Sequence, residues 1–476
     1  LSVTAFTYPP GEDIATICIS PLEDMDSLES PLLSVLANRT YRHLFCAQVI
    51  ALVGTGLATV ALGLLAYDIA GGNAGAVLGT ALAIKMIAYI GVAPIVGAFA
   101  DRLPRRAFLV AMDIVRAAVA LCLPFVDQTW QIYILIFVLQ SASAAFTPTF
   151  QATIPDVLPE ERDYTRALSL SRLAYDMESL TSPILAAALL SVINFHWLFS
   201  GTAIGFLGSA MLVATTVLPR VASAGPGQRD IYARTTCGTR IYLKTPRLRG
   251  LLALTLASAA ASSMVIVNTI VIVRDRLGLA QSDVALTLAA YGAGSILAAL
   301  TLPRLLDRIA DRTIMLSAGT AMASLLALLA VATFRYGAAP GFWWVILGGW
   351  FLLGIAYAMS ITPSGRLLKR SATASDRPAL FAAQFTLSHC CWLLCYPLVG
   401  QLGANVGQGV AFLMMAVIAS VGTGLAVFLW PAGDPDIVAH DHPELERDHP
   451  HVREAHGDDR HHIFIIDDLH QHWPRQ

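Results

Sequence analysis

Residues 97–106 read Gly-Ala-Phe-Ala-Asp-Arg-Leu-Pro-Arg-Arg and separate two long apolar segments of the chain. A shorter, related turn, Asp-Arg-Ile-Ala-Asp-Arg, occupies residues 307–312, where Asp307 follows Asp101 by 206 residues. Each turn follows the second apolar segment of its half of the chain. An acid–Arg turn at the same place in both halves indicates a duplicated unit.

Around these two turns, the apolar segments are long enough to cross a bilayer, which takes about 20 residues each. Six of them precede a polar stretch that runs from Pro219 to Gly250, and six follow it. They lie near residues 43–68, 75–100, 107–126, 130–152, 167–190, 195–218, 250–273, 283–302, 313–334, 341–363, 378–400 and 408–430. The sequence therefore predicts an all-α membrane protein with 12 transmembrane helices in two pseudo-symmetric six-helix bundles.

The composition agrees with a membrane body, since 56% of the 476 residues are hydrophobic and 13% are charged. Soluble domains carry about 25% charged residues, so a water-exposed surface is excluded for most of this chain. The net charge of -2 argues against nucleic acid as a partner. The seven Cys lie mostly in apolar segments, which is unlike a secreted disulfide framework.

The pattern divides the chain into five parts, which are a disordered cytoplasmic leader (1–37), an N-terminal bundle (38–218), a cytoplasmic middle loop (219–249), a C-terminal bundle (250–431) and an acidic, His-rich cytoplasmic tail (432–476). Because the chain begins with Leu, we expect that translation starts at Met25 or that the true N-terminus is missing. Alternate loops hold nineteen Lys and Arg against three in the opposite loops. The positive-inside rule therefore places both termini in the cytoplasm.

The turn at 97–106 resembles the loop signature of the major facilitator superfamily, and the two six-helix halves resemble the family's whole fold. Pro104 stands where the family usually has Gly, and the second turn, at 307–312, matches the family signature less closely than the first. A carboxylate and guanidinium groups in such a turn suit a contact that holds two bundles together in one state and releases them in another. The resemblance implies this gating role for Gly97, Asp101, Arg102, Arg105, Arg106, Asp307 and Arg308; positive-inside anchoring is the alternative.

Two further segments resemble the exporter branch of this family. The run from Gln151 to Ser169 is similar to bacterial siderophore and macrolide exporters. Residues 178–187, Glu-Ser-Leu-Thr-Ser-Pro-Ile-Leu-Ala-Ala, are similar to the antiporter motif of family exporters, with small residues where Gly is usual. Close helix packing through small residues is the alternative explanation of this segment.

Ionisable residues at membrane depth are the sharpest signal, because each costs about 2.5 kcal/mol or more at the bilayer centre. On the second, third and fifth predicted helices they are Lys85, Asp113, Arg116, Arg172, Asp176 and Glu178. The spacings of Asp113 with Arg116 and of Arg172 with Asp176 also suit structural ion pairs. Lys85 has no partner nearby in sequence. Glu178 and Asp176 are the candidates for a proton-coupling site.

The helix assignment implied by the family places several polar residues beside a central cavity. The candidates for substrate contact are Gln48, Gln140, Asn268, Tyr357 and His389. His389 lies at nearly the depth of Lys85, on the eleventh helix, which the family fold puts beside the second. No dense ring of charge is present, which favours a substrate of mixed polarity.

The tail contains nine of the twelve His between residues 440 and 472, interleaved with Asp and Glu. Imidazole with nearby carboxylate suits Ni, Co, Zn or Cu, whereas a solvated tail without a ligand is the alternative. The candidate ligands are His440, His442, His449, His451, His461, His462, His470 and His472. The composition, and nothing more, resembles that of nickel and cobalt exporters with His-rich tails.

These features predict a transporter rather than an enzyme. No Gly-Lys-Ser/Thr phosphate loop, His-Glu-x-x-His or Gly-x-Ser-x-Gly segment occurs. We expect proton-coupled efflux of a small organic compound, of drug or siderophore type, by a monomer in the bacterial inner membrane, with no cofactor. A divalent metal exporter that uses the tail, and a non-transporting receptor or scaffold, are the alternatives.

Overall fold

The computed structural model describes residues 33–99, 104–216, 231–306, 308–337, 339, 341–372, 376–433, 437–439, 461–463, 465–466 and 473. Within them the helices are α1 (Arg39–Ala70), α2 (Ala74–Phe99), α3 (Arg105–Cys122), α4 (Thr129–Val157), α5 (Glu161–Leu190), α6 (His196–Ala214), α7 (Ile231–Lys244), α8 (Pro246–Ile270), α9 (Gln281–Leu306), α10 (Asp311–Tyr336), α11 (Phe342–Ile361), α12 (Ser364–Arg370), α13 (Arg377–Asn405) and α14 (Gln408–Leu429). A π-helical turn, Val271–Arg276, continues α8. Two short strands, β1 (Ile437–Ala439) and β2 (His461–Ile463), pair antiparallel.

Twelve of these helices are long, and α7 and α12 are shorter elements between them. Ten apolar segments in the described residues are long enough to cross a membrane, and the first of them, Arg39–Val92, covers α1 and most of α2. The helix α5 is not among the ten, although it has 30 residues. Several residues of α5 have side chains outside the described part of the chain, and only described residues count toward these segments. The all-α architecture predicted from the sequence is confirmed.

The two halves pack alike, which shows the predicted pseudo-symmetry. In the N-terminal half α1 packs on α6, α2 on α4 and α3 on α6; in the C-terminal half α8 packs on α14, α9 on α11 and α10 on α14. Between the halves, α2 packs on α13 and α5 on α9. These two contacts are equivalent, since each joins the second long helix of one half to the fifth of the other.

Two of the segments outside the predicted bundles are partly helical. Residues 33–37, predicted to be disordered, form a short 3-10 helix, and its Val35 is buried against the N-terminal half. The stretch 219–249, predicted to be a loop, contains α7, and α8 already begins at Pro246. Tyr242 of α7 donates a hydrogen bond to Gln384 of α13, so α7 is packed against the bundle. In both segments, part of a chain that lies outside the apolar runs packs as helix against a bundle.

We call the end of the molecule that carries α7 and α12 the middle-loop end, and the other the opposite end. At the opposite end, α2 and α13 approach through glycines: a Cβ at Gly79 would overlap the carbonyl oxygen of Tyr396, and one at Gly400 that of Gly75. The Arg274 guanidinium lies 5.5 Å from the centre of the Tyr67 ring across the two halves. The halves are therefore closed against each other at the opposite end.

Candidate functional site

Glu178 is held where α5 crosses α1. The hydroxyl of Ser182, one turn further along α5, donates a hydrogen bond of 3.4 Å to Glu178 Oε1. Gly56 of α1 faces both residues; a Cβ there would lie 2.6 Å from Glu178 Oε1 and would overlap Ser182. The absence of a side chain at Gly56 thus makes room for the carboxylate inside the helix bundle.

The carboxylate of Glu178 borders a cavity of about 230 Å³ between α1 and α5. The cavity is lined by Phe45, Val49, Leu52, Val53, Leu170, Ala174, Met177, Glu178 and Thr181. Glu178 supplies the only charge among these lining residues. A mostly apolar wall with one ionisable group suits a small organic ligand whose polar part is positioned by that group.

Lys85 of α2 lies close enough to Glu178 for their charges to interact, although the two form no ion pair in the described part of the chain. The two charges interact electrostatically, and Lys85 also interacts with His389 of α13. The Lys85 ammonium lies 5.9 Å from the centre of the Tyr89 ring, one turn further along α2. Three ionisable residues that are far apart in sequence therefore meet where the two halves adjoin.

Aromatic rings surround His389 and link the halves. Its ring centre lies 4.0 Å from that of Phe385 and 5.3 Å, in a stacked arrangement, from that of Tyr89 of the other half. His389 Nδ1 donates to the Phe385 carbonyl at 2.6 Å. Trp392, 6.5 Å away by ring centres, donates from Nε1 to the hydroxyl of Ser262 in α8 at 2.9 Å. The imidazole is thus fixed at the contact between α2 and α13.

Two of the predicted cavity residues take part in contacts between helices. Gln48 is 4% exposed, and its Oε1 accepts a hydrogen bond of 3.0 Å from Ser171 of α5. Asn268 is fully buried at the opposite end, where it donates to the Val399 carbonyl at 3.2 Å and accepts from Gln408. Buried polar atoms are almost always hydrogen-bonded, and here the partners are on neighbouring helices.

The other two predicted contact residues lie in different surroundings. Gln140 of α4 is 7% exposed, and its Oε1 has no hydrogen-bond partner among the described residues. Tyr357 of α11 is partly buried, with its ring centre 5.7 Å from that of Tyr291. Gln140 therefore remains a candidate for substrate contact.

The predicted gating loop is described in part. Gly97 lies within α2, whereas Asp101, Arg102 and Asp307 lie outside the described residues. Arg105 forms an ion pair with Asp156 near the end of α4. Arg106 and Arg308 are exposed.

Sequence reasoning missed the partner of Arg105 and a second set of ion pairs at the same end. Asp311, which begins α10, lies 3.7 Å from Arg366 Nε and 3.6 Å from Arg370 Nη1. Asp156 and Asp311 lie inside the segments that drew attention for their family resemblance. The 206-residue repeat would have singled out Asp311, because it is the counterpart of Arg105.

Asp113 and Arg116 form a buried ion pair inside the N-terminal half. Asp113 is fully buried and accepts a 2.7 Å hydrogen bond from Ser209. The Arg116 guanidinium lies between two rings, 4.3 Å from the centre of Phe146 and 4.5 Å from that of Phe206. The two charges compensate each other, while Arg116 Nε is buried without a hydrogen-bond partner among the described residues. The close pairing supports the structural alternative for these two residues. Arg172 and Asp176 lie on α5, and their side chains lie outside the described part of the chain.

We expect Asp113→Ala to destabilise the fold by about 3–5 kcal/mol, because it leaves the buried Arg116 charge uncompensated. The double variant Asp113→Ala/Arg116→Met removes both charges and should recover most of that loss. The measurement is thermal unfolding of the purified protein in detergent. A double variant no more stable than the single one would contradict the view that charge compensation governs this site.

The end of the chain docks on the C-terminal half. Ile466 is fully buried in a cluster with residues of α7, α8, α10 and α12. Arg247, which is 1% exposed, lies 5.7 Å from the centre of the Trp473 ring.

Of the predicted metal ligands, only the backbones of His461 and His462 are described, in β2; the other six lie outside the described residues. Within the described residues, no group of three or more His, Cys, Asp or Glu is arranged to hold a metal.

A multi-pass α-helical membrane protein with two related six-helix halves and ionisable residues where they adjoin has the architecture of a secondary transporter. A profile of the Major Facilitator Superfamily matches residues 44–279 and 251–454. The chain belongs to the Major Facilitator Superfamily.

The chain is also similar to individual members of the family. It is 25% identical over 328 residues to the uncharacterized MFS-type transporter YfiS of Bacillus subtilis, covering 67% of this chain and 76% of YfiS. It is 25% identical to macrolide efflux protein A of Streptococcus pyogenes over 30% of this chain and 37% of that protein. Multidrug resistance protein MdtG of Enterobacter lignolyticus is 27% identical over 43% of this chain and 48% of MdtG. These relatives support the efflux branch of the family.

Solved structures support the fold. The nucleoside transporter NupG, in its D323A mutant, superposes with a TM-score of 0.65 at 14% identity, covering 82% of this chain and all of NupG. A D-xylose-proton symporter superposes with a TM-score of 0.60 at 15% identity, covering 83% of this chain and 97% of the symporter. At such identities the likeness concerns the fold alone.

Proposed function

We propose that this protein is a proton-coupled exporter of small organic compounds that works by alternating access in the bacterial inner membrane, with both termini and the middle loop in the cytoplasm. The observation that carries the proposal is the carboxylate of Glu178 at the edge of an apolar cavity, paired electrostatically with Lys85. The similarity to macrolide and multidrug efflux proteins supports the export direction and the substrate class.

Glu178 carries the proton in this proposal. A carboxylate inside a membrane body is costly when charged, so its ionisation depends on what compensates it. When Glu178 is ionised, Lys85 provides that compensation; when it is protonated, the charge of Lys85 needs other partners, among them the bound compound. The occupancy of the cavity and the proton on Glu178 are then linked, and such a linkage acts equally in both directions.

The aromatic contact between the halves completes the mechanism. His389 and Tyr89 stack across α13 and α2, beside Lys85. A change at Lys85 therefore acts on the contact that must rearrange when the halves rock. Asp176, one half-turn from Glu178 on α5, is the second candidate for the coupling site.

A metal exporter remains the second candidate because of one observation about the tail. Strands β1 and β2 pair Val438 with His462 and Ala439 with His461, so the His-rich residues 440–460 are enclosed between two paired strands. The paired strands hold the two ends of the His-rich stretch close together. This reduces the entropy cost of binding a metal ion through several imidazoles of that stretch.

The experiment that tests the proposal is growth of an efflux-deficient bacterium that expresses this chain, across Ni, Co, Zn, Cu and common antimicrobials. The proposal requires resistance to organic compounds. Resistance to metals alone would establish the metal exporter instead. Failure of the purified, reconstituted protein to move any of these solutes would favour a receptor or scaffold.

We expect replacement of the nine tail His by Gln to leave resistance to organic compounds unchanged, because the proposed coupling residue and the cavity lining belong to α1 and α5. Metal resistance, if present, should be lost with them. Deletion of 437–476 is the less selective variant: it uncovers the site of Ile466 and should lower the melting temperature by several degrees, since a buried side chain of this size contributes about 2 kcal/mol. Growth and thermal unfolding of both variants check this. Loss of organic resistance in the His-to-Gln variant, with unchanged expression, would contradict the proposal.

A further inference from the structure

Three tyrosines of the C-terminal half come together, and we call them the tyrosine cluster. They are Tyr291 of α9, Tyr357 of α11 and Tyr396 of α13. The ring centres of Tyr291 and Tyr357 lie 5.7 Å apart, and the three side chains are close enough to interact electrostatically with one another. The sequence has no Asp, Glu, Lys, Arg or His within four residues of any of them. The cluster is therefore polar, and it carries no charge at neutral pH.

The hydroxyl of Tyr291 is available to a ligand. It is buried and has no hydrogen-bond partner among the described residues. Buried hydroxyl groups are nearly always hydrogen-bonded, because a buried donor without a partner costs free energy. Tyr242 of the same half shows the usual arrangement, since its hydroxyl donates to Gln384.

The backbone holds two of the three phenols in place. A Cβ at Gly354 of α11 would overlap the carbonyl oxygen of Tyr291, so α9 and α11 are in backbone contact there. Ser295 of α9 also donates a hydrogen bond of 2.9 Å to the Gly354 carbonyl. Tyr357 lies about one turn beyond Gly354. A site held in this way loses little conformational freedom when a ligand binds.

The cluster occupies the place that Lys85 and the surroundings of Glu178 have in the N-terminal half. Tyr291 follows Lys85 by 206 residues, which is the interval between the two acid–Arg turns. The helices α2 and α9 are also the second long helices of their halves and make equivalent contacts. Tyr291 is therefore the counterpart of Lys85.

The fifth long helices, α5 and α13, show the same replacement. Each contains a proline, and alignment of Pro183 with Pro397 makes Tyr396 the counterpart of Ser182. Ser182 is the residue that donates to Glu178. The repeat thus has ionisable groups in one half and neutral phenols in the other.

The tyrosine cluster and Lys85 lie along the same contact between the halves. Tyr396 is two turns from His389 on α13, which is about 10 Å. His389 interacts with Lys85, and the Tyr396 carbonyl lies against Gly79 of α2. A drug-sized molecule can span this distance.

We propose that the tyrosine cluster is a subsite that binds an uncharged, oxygen-bearing group of the transported compound, such as a carbonyl, lactone or ether oxygen. The inference deepens the exporter function proposed above and rests on it. Tyr291 donates its free hydroxyl to that oxygen, and the phenol rings pack against the apolar part beside it. The N-terminal half then carries the proton while the C-terminal half recognises the compound. Cation–π binding of a charged compound to the rings is the alternative that the experiment separates.

The test is equilibrium binding to the purified protein in detergent, without a pH gradient. Chloramphenicol and progesterone are the uncharged, oxygen-bearing probes, and ethidium is the permanent cation. We expect Tyr291→Phe to raise the Kd of both uncharged probes about three- to tenfold, which is the effect of one hydrogen bond. The Kd of ethidium should stay within about twofold. The melting temperature without a probe should not fall, because the hydroxyl that is removed has no partner there.

The matched control is Tyr242→Phe, which removes a hydroxyl that does have a partner. It should lower the melting temperature and leave the Kd of every probe within about twofold. Three outcomes would overturn the subsite and leave the exporter function intact: a parent that binds only ethidium, a Kd of the uncharged probes that Tyr291→Phe changes less than twofold, or a loss of stability in Tyr291→Phe like that of the control. A parent that binds none of the probes would also overturn it, and the growth assay would then decide separately on export.

Discussion

Replacing Glu178 with Gln will abolish export against a gradient while leaving binding of the compound measurable. The amide has nearly the same shape as the carboxyl group, so the contact with Ser182 and the apolar cavity is preserved. What it loses is the proton-binding site, and with it the link between the proton gradient and the compound. In proteoliposomes with an imposed pH gradient, we expect the initial rate of uphill transport to fall by about 100-fold or more, in line with loss of a proton-transfer group.

The same proteoliposomes provide the control for this prediction. Exchange of labelled for unlabelled compound at equal pH does not need net proton movement, so Glu178→Gln should retain it. Thr181→Val, which changes another lining residue of the same cavity without removing an ionisable group, should keep gradient-driven transport within a few-fold of the parent. Uphill transport by Glu178→Gln at the parental rate would move the coupling site elsewhere, with Asp176 next to be tested.

The fold was predictable because it follows from strong local signals. Three signals in the sequence indicate the same fold. They are the long apolar segments, the distribution of Lys and Arg among the loops and the repeated acid–Arg turn. The charged residues Lys85 and Glu178 were also predictable as important, because a bilayer makes an ionisable side chain expensive. Their proximity in the structure follows from the arrangement of α2 and α5 within the N-terminal half, and no spacing in the sequence encodes it.

Polar residues without charge were much harder to place. Gln48 and Asn268 were predicted to line a cavity, yet each is satisfied by a neighbouring helix. A side chain that bonds across a helix contact and one that faces a substrate have the same sequence pattern, since both are single polar residues in an apolar run. Rotation of each helix decides between them, and that rotation depends on packing with all neighbours.

Gly75 and Gly79 of α2 were not singled out by sequence reasoning, although they determine how the opposite end closes. We expect Gly79→Leu to prevent this closure and to reduce transport by about 100-fold. Even the Cβ of the new side chain would overlap the Tyr396 carbonyl oxygen, so α2 and α13 must separate. Overpacking of this kind costs about 1–3 kcal/mol, which corresponds to about 5- to 150-fold in the population of the closed state. Spin labels at the exposed residues Asn73 and Asn405 will measure the separation of the halves at that end.

A second glycine of α2 provides the comparison that makes this prediction specific. Gly91 lies three turns further along the same helix, and a Cβ there would meet nothing within 4 Å. Gly91→Leu therefore adds the same side chain to the same helix without touching α13, and we expect label distances and transport near those of the parent. If Gly79→Leu left the opposite end closed and transport intact, the close glycine contact would be a packing detail with no part in the transport cycle. If both variants failed alike, the cause would lie in α2 itself rather than in its contact with α13.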